Sequence, residues 1–198
     1  NNNFMTWLIE PQLEYKVSLK KTDVDLLVGN TLEKQTNATS EVDGIGYGND
    51  NLIRSISGSA SQYALDQFYD YKYIAFFGRL NVKFAGKYIL SATGNRDGSS
   101  RFGPNRQFGN FGSVGGAWLF NEEQLIRDAL PFLSYGKLRG SFGTIGNDQA
   151  ANYQFLPRWA PSTYAYGGVT GYVPQNLYNP NFSWASTQKL EFGLELGF

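Results

Sequence analysis

The chain has 198 residues, with 17 Lys+Arg balanced by 17 Asp+Glu, and neither Cys nor His. Those absences exclude a thiol nucleophile, a disulfide, a zinc site of the usual nitrogen/sulfur type and a Ser-His-Asp triad, while zero net charge argues against a nucleic-acid partner, which needs a basic field. Aromatic residues make up 16% and charged residues 17%, with 23 Gly. Set against a usual charged fraction of about 25%, that balance points to β structure.

In chain order, Asn1-Asn2-Asn3 carries no start methionine and no basic segment leading into an apolar run, so the expectation is a cut through a longer protein. Period-two alternation then begins: Leu13, Tyr15, Val17 and Leu19 on one face, Glu14, Lys16 and Ser18 on the other. The same pattern puts Ile74, Phe76, Leu80, Val82 and Phe84 opposite Arg79, Asn81 and Lys83, and it closes the chain with Leu190, Phe192, Leu194 and Leu196 opposite Glu191 and Glu195. Strands are expected at about 4–20 (bent near Pro11), 23–35, 69–84, 87–96, 112–120, 135–146 and 186–198.

Many of these strands have ten or more residues. That is long for a soluble sheet, whose mode is about 5–6, and it suits a tilted membrane-crossing strand of roughly 9–11. No window approaches the roughly 18 apolar residues of a membrane helix, but alternating barrel strands barely register in hydropathy.

The connections alternate in length. Lys21-Thr22 and Ala85-Gly86 are tight turns, whereas 36–68, 97–111 and 147–185 are long. Between the last two lies 121–134, read as a short helix N-capped by Asn121, with Glu122 and Glu123 in its first turn and Pro131 after its end. Short turns on one side and long loops on the other are the asymmetry of an outer-membrane barrel. Seven antiparallel strands cannot close on themselves, because the first and last run the same way; the expected object is an all-β section of barrel wall, residues 1–198 forming one partial barrel domain. The alternative is a soluble carbohydrate- or peptide-binding β-sandwich, which shares the alternation and the turn residues.

Candidate chemistry is sparse. Loop 147–185 holds nine aromatic residues, including Trp159, Tyr164, Tyr166 and Tyr172, but only Asp148 and Arg158 are charged there. Aromatic faces of this kind stack on sugar rings or peptide side chains, which makes these four the candidate ligand contacts. Arg79, Asn81, Lys83, Glu191 and Glu195 read as wetted positions lining a lumen. Asp97 among Arg96, Ser99, Ser100 and Arg101 reads as a turn whose arginines pair with Asp97 or with neighbouring loops, since one Asp with two hydroxyls is too few ligands for calcium. Gly143-Thr144-Ile145-Gly146-Asn147-Asp148 lacks the Lys-Ser/Thr of a phosphate cradle and reads as a strand exit. Glu122/Glu123 and Glu191/Glu195 have no convergent cleft. No catalytic residue, metal or cofactor is therefore expected, and the chain is not read as an enzyme.

Asn95-Arg96-Asp97-Gly98-Ser99-Ser100-Arg101-Phe102-Gly103 follows Tyr88-Ile89-Leu90-Ser91 and precedes Phe111-Gly112-Ser113-Val114-Gly115-Gly116-Ala117-Trp118; then come Lys137-Leu138-Arg139-Gly140-Ser141-Phe142-Gly143 and Asn179-Pro180-Asn181-Phe182-Ser183-Trp184. This order resembles the C-terminal part of the barrel in SusC/RagA-type TonB-linked outer-membrane receptors, from about Trp7 to Phe198. The resemblance implies a large transmembrane β-barrel in the bacterial outer membrane, with long extracellular loops and short periplasmic turns. It implies import of oligosaccharides or peptides, a SusD-like surface lipoprotein as partner, a lipid bilayer around the wall, and energy delivered by TonB through an N-terminal region and plug that this sequence does not contain.

Overall fold

The computed structural model describes residues 1–198. Its main sheet is antiparallel throughout. Strands β1 (Asn2–Ile9) and β2 (Gln12–Leu19) both pair with β3 (Thr22–Tyr47), and the sheet continues through β4 (Ser59–Phe84), β5 (Tyr88–Ser99), β6 (Phe108–Leu119), β7 (Tyr135–Asn147) and β10 (Ala185–Gly197). β8 (Arg158–Tyr166) and β9 (Val169–Asn176) form a separate hairpin. No helix is long and apolar enough to cross a membrane.

β1 and β2 are two lengths of one edge row. β2 pairs Thr22–Gly29 of β3 and β1 pairs Leu32–Thr39, with the break at Glu10-Pro11. Proline has no N–H to give a ladder, so it belongs at an edge. Its carbonyl still accepts from the Asn30 N–H at 3.1 Å, and Thr31 Oγ1 donates to Glu10 Oε1 at 3.0 Å. The bend expected near Pro11 is therefore an interruption of a single row, and the sheet is seven rows wide.

Register turns the alternation into two faces. Pairing Val24 with Val82, Leu26 with Leu80, Val82 with Leu90 and Leu80 with Ala92 puts all of them on one side; Trp118 with Leu138, Val114 with Phe142, and Phe142 with Leu190 continue the same side to the far edge. Asp23 with Lys83, Asp25 with Asn81, Arg79 with Thr93, and Glu195 with Lys137 fill the other.

Neither face is covered by a second layer. Only 9 of 198 residues are buried, and Phe76 (54% exposed), Leu80 (37%), Leu194 (61%) and Leu196 (49%) lie open. A sandwich would bury these side chains between two sheets, so the sandwich alternative is overturned. Burial of roughly 25 cal/mol per Å² is available to the apolar face only from something outside the chain.

Several boundaries differ from the sequence reading. Residues 36–68 are mostly not loop: β3 runs on to Tyr47 and β4 starts at Ser59, leaving two 3₁₀ turns at Asp50–Leu52 and Ile56–Gly58. Polar residues on both faces hid this ladder, because backbone pairing holds it without an apolar side. β5 likewise extends through Asp97, Gly98 and Ser99, so these three are strand and not turn. Gly98 is small for packing reasons: a Cβ there would stand 2.6 Å from the Phe108 ring.

The 121–134 connection holds a 3₁₀ turn at Phe120–Glu122 and then α1 (Gln124–Ala129), whose N-cap is Glu123 and not Asn121. Asn121 Nδ2 instead donates to the Ser134 carbonyl at 3.5 Å. Glu123 accepts from Lys87 Nζ, Tyr88 Oη and Trp118 Nε1. Those bonds, Lys87 foremost, hold its carboxyl below the usual 4.5, and the bond to Glu123 raises Lys87 above 10.5. Ring pairs mark the same rim: Phe84–Tyr88 at 6.3 Å, Trp118–Phe120 at 5.9 Å and Phe132–Phe198 at 6.2 Å.

Candidate functional site

The five polar candidates share one face. Arg79, Asn81 and Lys83 occupy alternate positions of β4, and Glu191 and Glu195 occupy the matching positions of β10. Glu195 pairs with Arg139 at 3.0 Å and Lys137 at 3.6 Å, and Arg79 reaches Glu14 at 4.0 Å. Exposed pairs of this kind add at most about 1 kcal/mol each, so they set the character of a wet surface more than its stability.

Farther from the tight turns, the same face opens into a polar cleft of about 480 Å³ lined by Glu33, Tyr73, Asp97, Asp148, Trp184 and Lys189 among others. A second cleft of about 370 Å³ adjoins it, sharing Asp97 and Lys189 and adding Thr93, Asn95, Ser141 and Glu191.

The upper cleft is built around Asp148. Ser99 Oγ and Tyr71 Oη each donate to its Oδ2 at 2.8 Å, and Arg101 lies 3.6 Å from its Oδ1. The Arg101 guanidinium also lies over the Tyr71 ring at 4.2 Å, donates to the Asp148 carbonyl at 3.0 Å and reaches Asn152 Oδ1 at 3.2 Å. Beside it, Phe102 is 1% exposed and packs against Phe182 at 5.7 Å and Trp184 at 5.2 Å. Of the two arginines, Arg101 pairs with a neighbouring segment at Asp148 and not with Asp97, while Arg96 donates to the neutral Asn110. Asp97 is 7% exposed and accepts from Asn95 Nδ2 at 2.6 Å.

Trp159, Tyr164, Tyr166 and Tyr172 do not sit in a loop, as the sequence reading had it; they sit in the β8–β9 hairpin. Its two-residue turn, Gly167-Gly168, has φ of +58° and +78°, the left-handed pair that a tight hairpin requires and glycine supplies. All four rings are exposed. Trp159 pairs with Pro174 and Pro161 with Tyr172, so Trp159 and Tyr172 share one side of the hairpin, while Tyr166, opposite Val169 beyond an irregularity, lies on the other. The structure brings two of the four together, and none of them lines the polar clefts described above.

Tyr71 and Glu33 have no mark in the sequence, and Asp148 and Phe102, though they stand in the runs described above, are not read there as site residues. The charge of Asp148 in a nearly uncharged segment was the available signal.

No family model matches the chain. It is similar to SusC of Bacteroides thetaiotaomicron, at 28% identity over 198 residues, covering 94% of this chain and 19% of that one. It is also similar to a TonB-dependent receptor of Formosa agariphila, at 27% over 186 residues, covering 89% and 17%. Among solved structures, the RagAB peptide transporter superposes with a TM-score of 0.83 at 26% identity, and the RagAB peptide importer in its "closed-closed" state with 0.85 at 25%; each comparison covers 99% of this chain and 22% of the other. The chain spans about a fifth of the length of these proteins. In sequence and in fold, the chain is similar to one section of these longer TonB-dependent receptors.

Proposed function

We propose that residues 1–198 form a section of barrel wall in a TonB-dependent nutrient importer of the bacterial outer membrane. The observation that carries this reading is the division of one unlayered sheet into an apolar and a polar face. From Ile74 to Phe84, eleven residues, the pattern matches the roughly 9–11 residues of a membrane-crossing strand. On this reading the apolar face meets acyl chains. The polar face, with Arg79, Asn81, Lys83, Glu191 and Glu195, lines the lumen. The tight turns and α1 lie on the periplasmic side, and β8–β9 stands outside. From Ile74 to Phe84, each residue of β4 has a register partner on both β3 and β5, which is what a hydrocarbon environment demands.

The cargo is an oligosaccharide or peptide, a SusD-like surface lipoprotein is the partner, and TonB acts through a region beyond this segment. Support comes from the likeness to SusC and to the RagAB peptide importer, and from the exposed aromatic side chains of the β8–β9 hairpin. Transport of this kind calls on binding and not on a catalytic group.

The test replaces Trp159, Tyr164 and Tyr166 together with Ala in the full-length protein and titrates oligosaccharides and peptides. Exposed aromatic contacts are worth about 1 kcal/mol apiece, so the expected result is at least a tenfold loss of affinity. Unchanged affinity would remove the hairpin from the ligand site.

A further inference from the structure

We infer that the apolar face carries a binding site for a phosphorylated lipid at its outer rim; the inference rests on the outer-membrane reading above. Up β4 the apolar-face positions run Phe84, Val82, Leu80, Gly78, Phe76 and Ile74, then change at once to Lys72 and Asp70. Lys34 stands directly opposite Lys72, and Trp7 stands opposite Lys34 on the edge row. At that boundary lies a groove of about 360 Å³ with Trp7, Leu32, Ile74 and Phe108 among its walls and Lys34 and Lys72 at its polar end.

The groove is built in the order of a lipid standing in the outer leaflet: apolar walls on the membrane side, cations at the headgroup side. Its charge is unbalanced. Lys34 and Lys72 share a single carboxylate, Asp70, at 3.6 and 3.5 Å. Arg96, on the same face opposite Phe76, lies over the Phe108 ring at 5.0 Å and bonds only the neutral Asn110, at 3.3 Å. Arg96 does not itself line the groove but stands over its Phe108 wall, so three cations and one anion lie at this boundary and two positive charges remain. Glu33 also borders the groove, but its register position, opposite Tyr73, belongs to the polar face, and it accepts from Gln35.

A sugar or peptide cargo would not approach from the hydrocarbon side, and a neutral lipid would leave the cations unmatched. The occupant that satisfies both halves is an acylated, phosphorylated lipid of the lipid A type, its acyl chain on Leu32, Ile74 and Phe108 and its phosphate on Lys34, Lys72 and Arg96. Each basic residue at an anionic membrane surface contributes about a fivefold gain in affinity.

The experiment uses the full-length protein purified in detergent, titrated with lipid A and with lipid A stripped of its phosphates, and read by native mass spectrometry. The expected result is a lipid A complex with the unaltered protein and about a hundredfold weakening in K34Q/K72Q/R96Q. K72Q alone should weaken binding about fivefold, K20Q/K21Q at a tight turn should not, and the dephosphorylated lipid should bind the unaltered protein as weakly as lipid A binds the triple variant. Equal lipid A binding by unaltered and triple-variant protein overturns the site, as does failure of the unaltered protein to bind lipid A. Heat-modifiable gel migration, checked on the same samples, separates the two levels. A protein that migrates as a barrel and binds lipid A regardless of these charges refutes the site alone; loss of barrel migration in the unaltered protein refutes the reading beneath it.

Discussion

The lower part of the sheet, near the tight turns, and the upper part, beyond Ile74, use the same antiparallel ladder for different ends. Below, each row separates apolar from polar residues, and almost nothing within the chain covers either face. Above, β3 and β4 continue with polar residues on both sides, and order comes from a compact cluster in which Phe102, Phe182 and Trp184 pack beside the Asp148 hydrogen bonds. The difference teaches that parity is a property of the surroundings and not of the strand. On the outer-membrane reading, the faces diverge where two solvents meet the sheet, and only local packing decides where water meets both.

The sharpest challenge to that contrast is Phe102→Ala. It removes the only large side chain that is fully buried, and truncation of a buried Phe costs about 3–5 kcal/mol. In the full-length protein the loss should be local, read as faster proteolysis and hydrogen exchange across 148–184 with the 74–84 band unchanged. Spread of the effect into that band would show that the two parts are one cooperative unit.

Leu80→Arg against Asn81→Arg probes the lower part. The residues are neighbours in sequence on opposite faces. Arg at the lipid-facing midplane should cost about 2–4 kcal/mol, and Arg on the polar side less than about 1, measured by urea unfolding in lipid vesicles. Equal costs would abolish the distinction between the faces.

The smallest effect is expected at the rim. Glu123 titrates below its ordinary value in the folded protein, so its contribution is present above about pH 4.5 and lost as pH falls through the lowered folded pKa; Lys87, raised above 10.5, contributes below that pH and loses its contribution as pH rises through the folded pKa. Unfolding midpoints for Glu123→Gln should match the unaltered protein at low pH and fall below it between the two limits. A constant difference across the range would assign Glu123 a packing role only.

The lower part was legible residue by residue. The alternation of Ile74, Phe76, Leu80 and Val82 against Arg79, Asn81 and Lys83 states the two faces outright, and the tight turn at Ala85-Gly86 lies where expected. The upper part was not, because a strand wet on both sides has no hydrophobic period to read. The β8–β9 hairpin had a readable sign, Gly167-Gly168 between two β-rich runs, which the loop reading passed over. The partners of Asp148 had none: Tyr71, Ser99 and Arg101 lie 77, 49 and 47 residues away in sequence.

The Asp148 cluster has a mechanical consequence. It fastens the segment leading into the aromatic hairpin to two adjoining staves, β4 through Tyr71 and β5 through Ser99. A pull on the hairpin therefore reaches the sheet at this rivet, on β4 and β5 together, as well as along β7, which runs straight into Asp148.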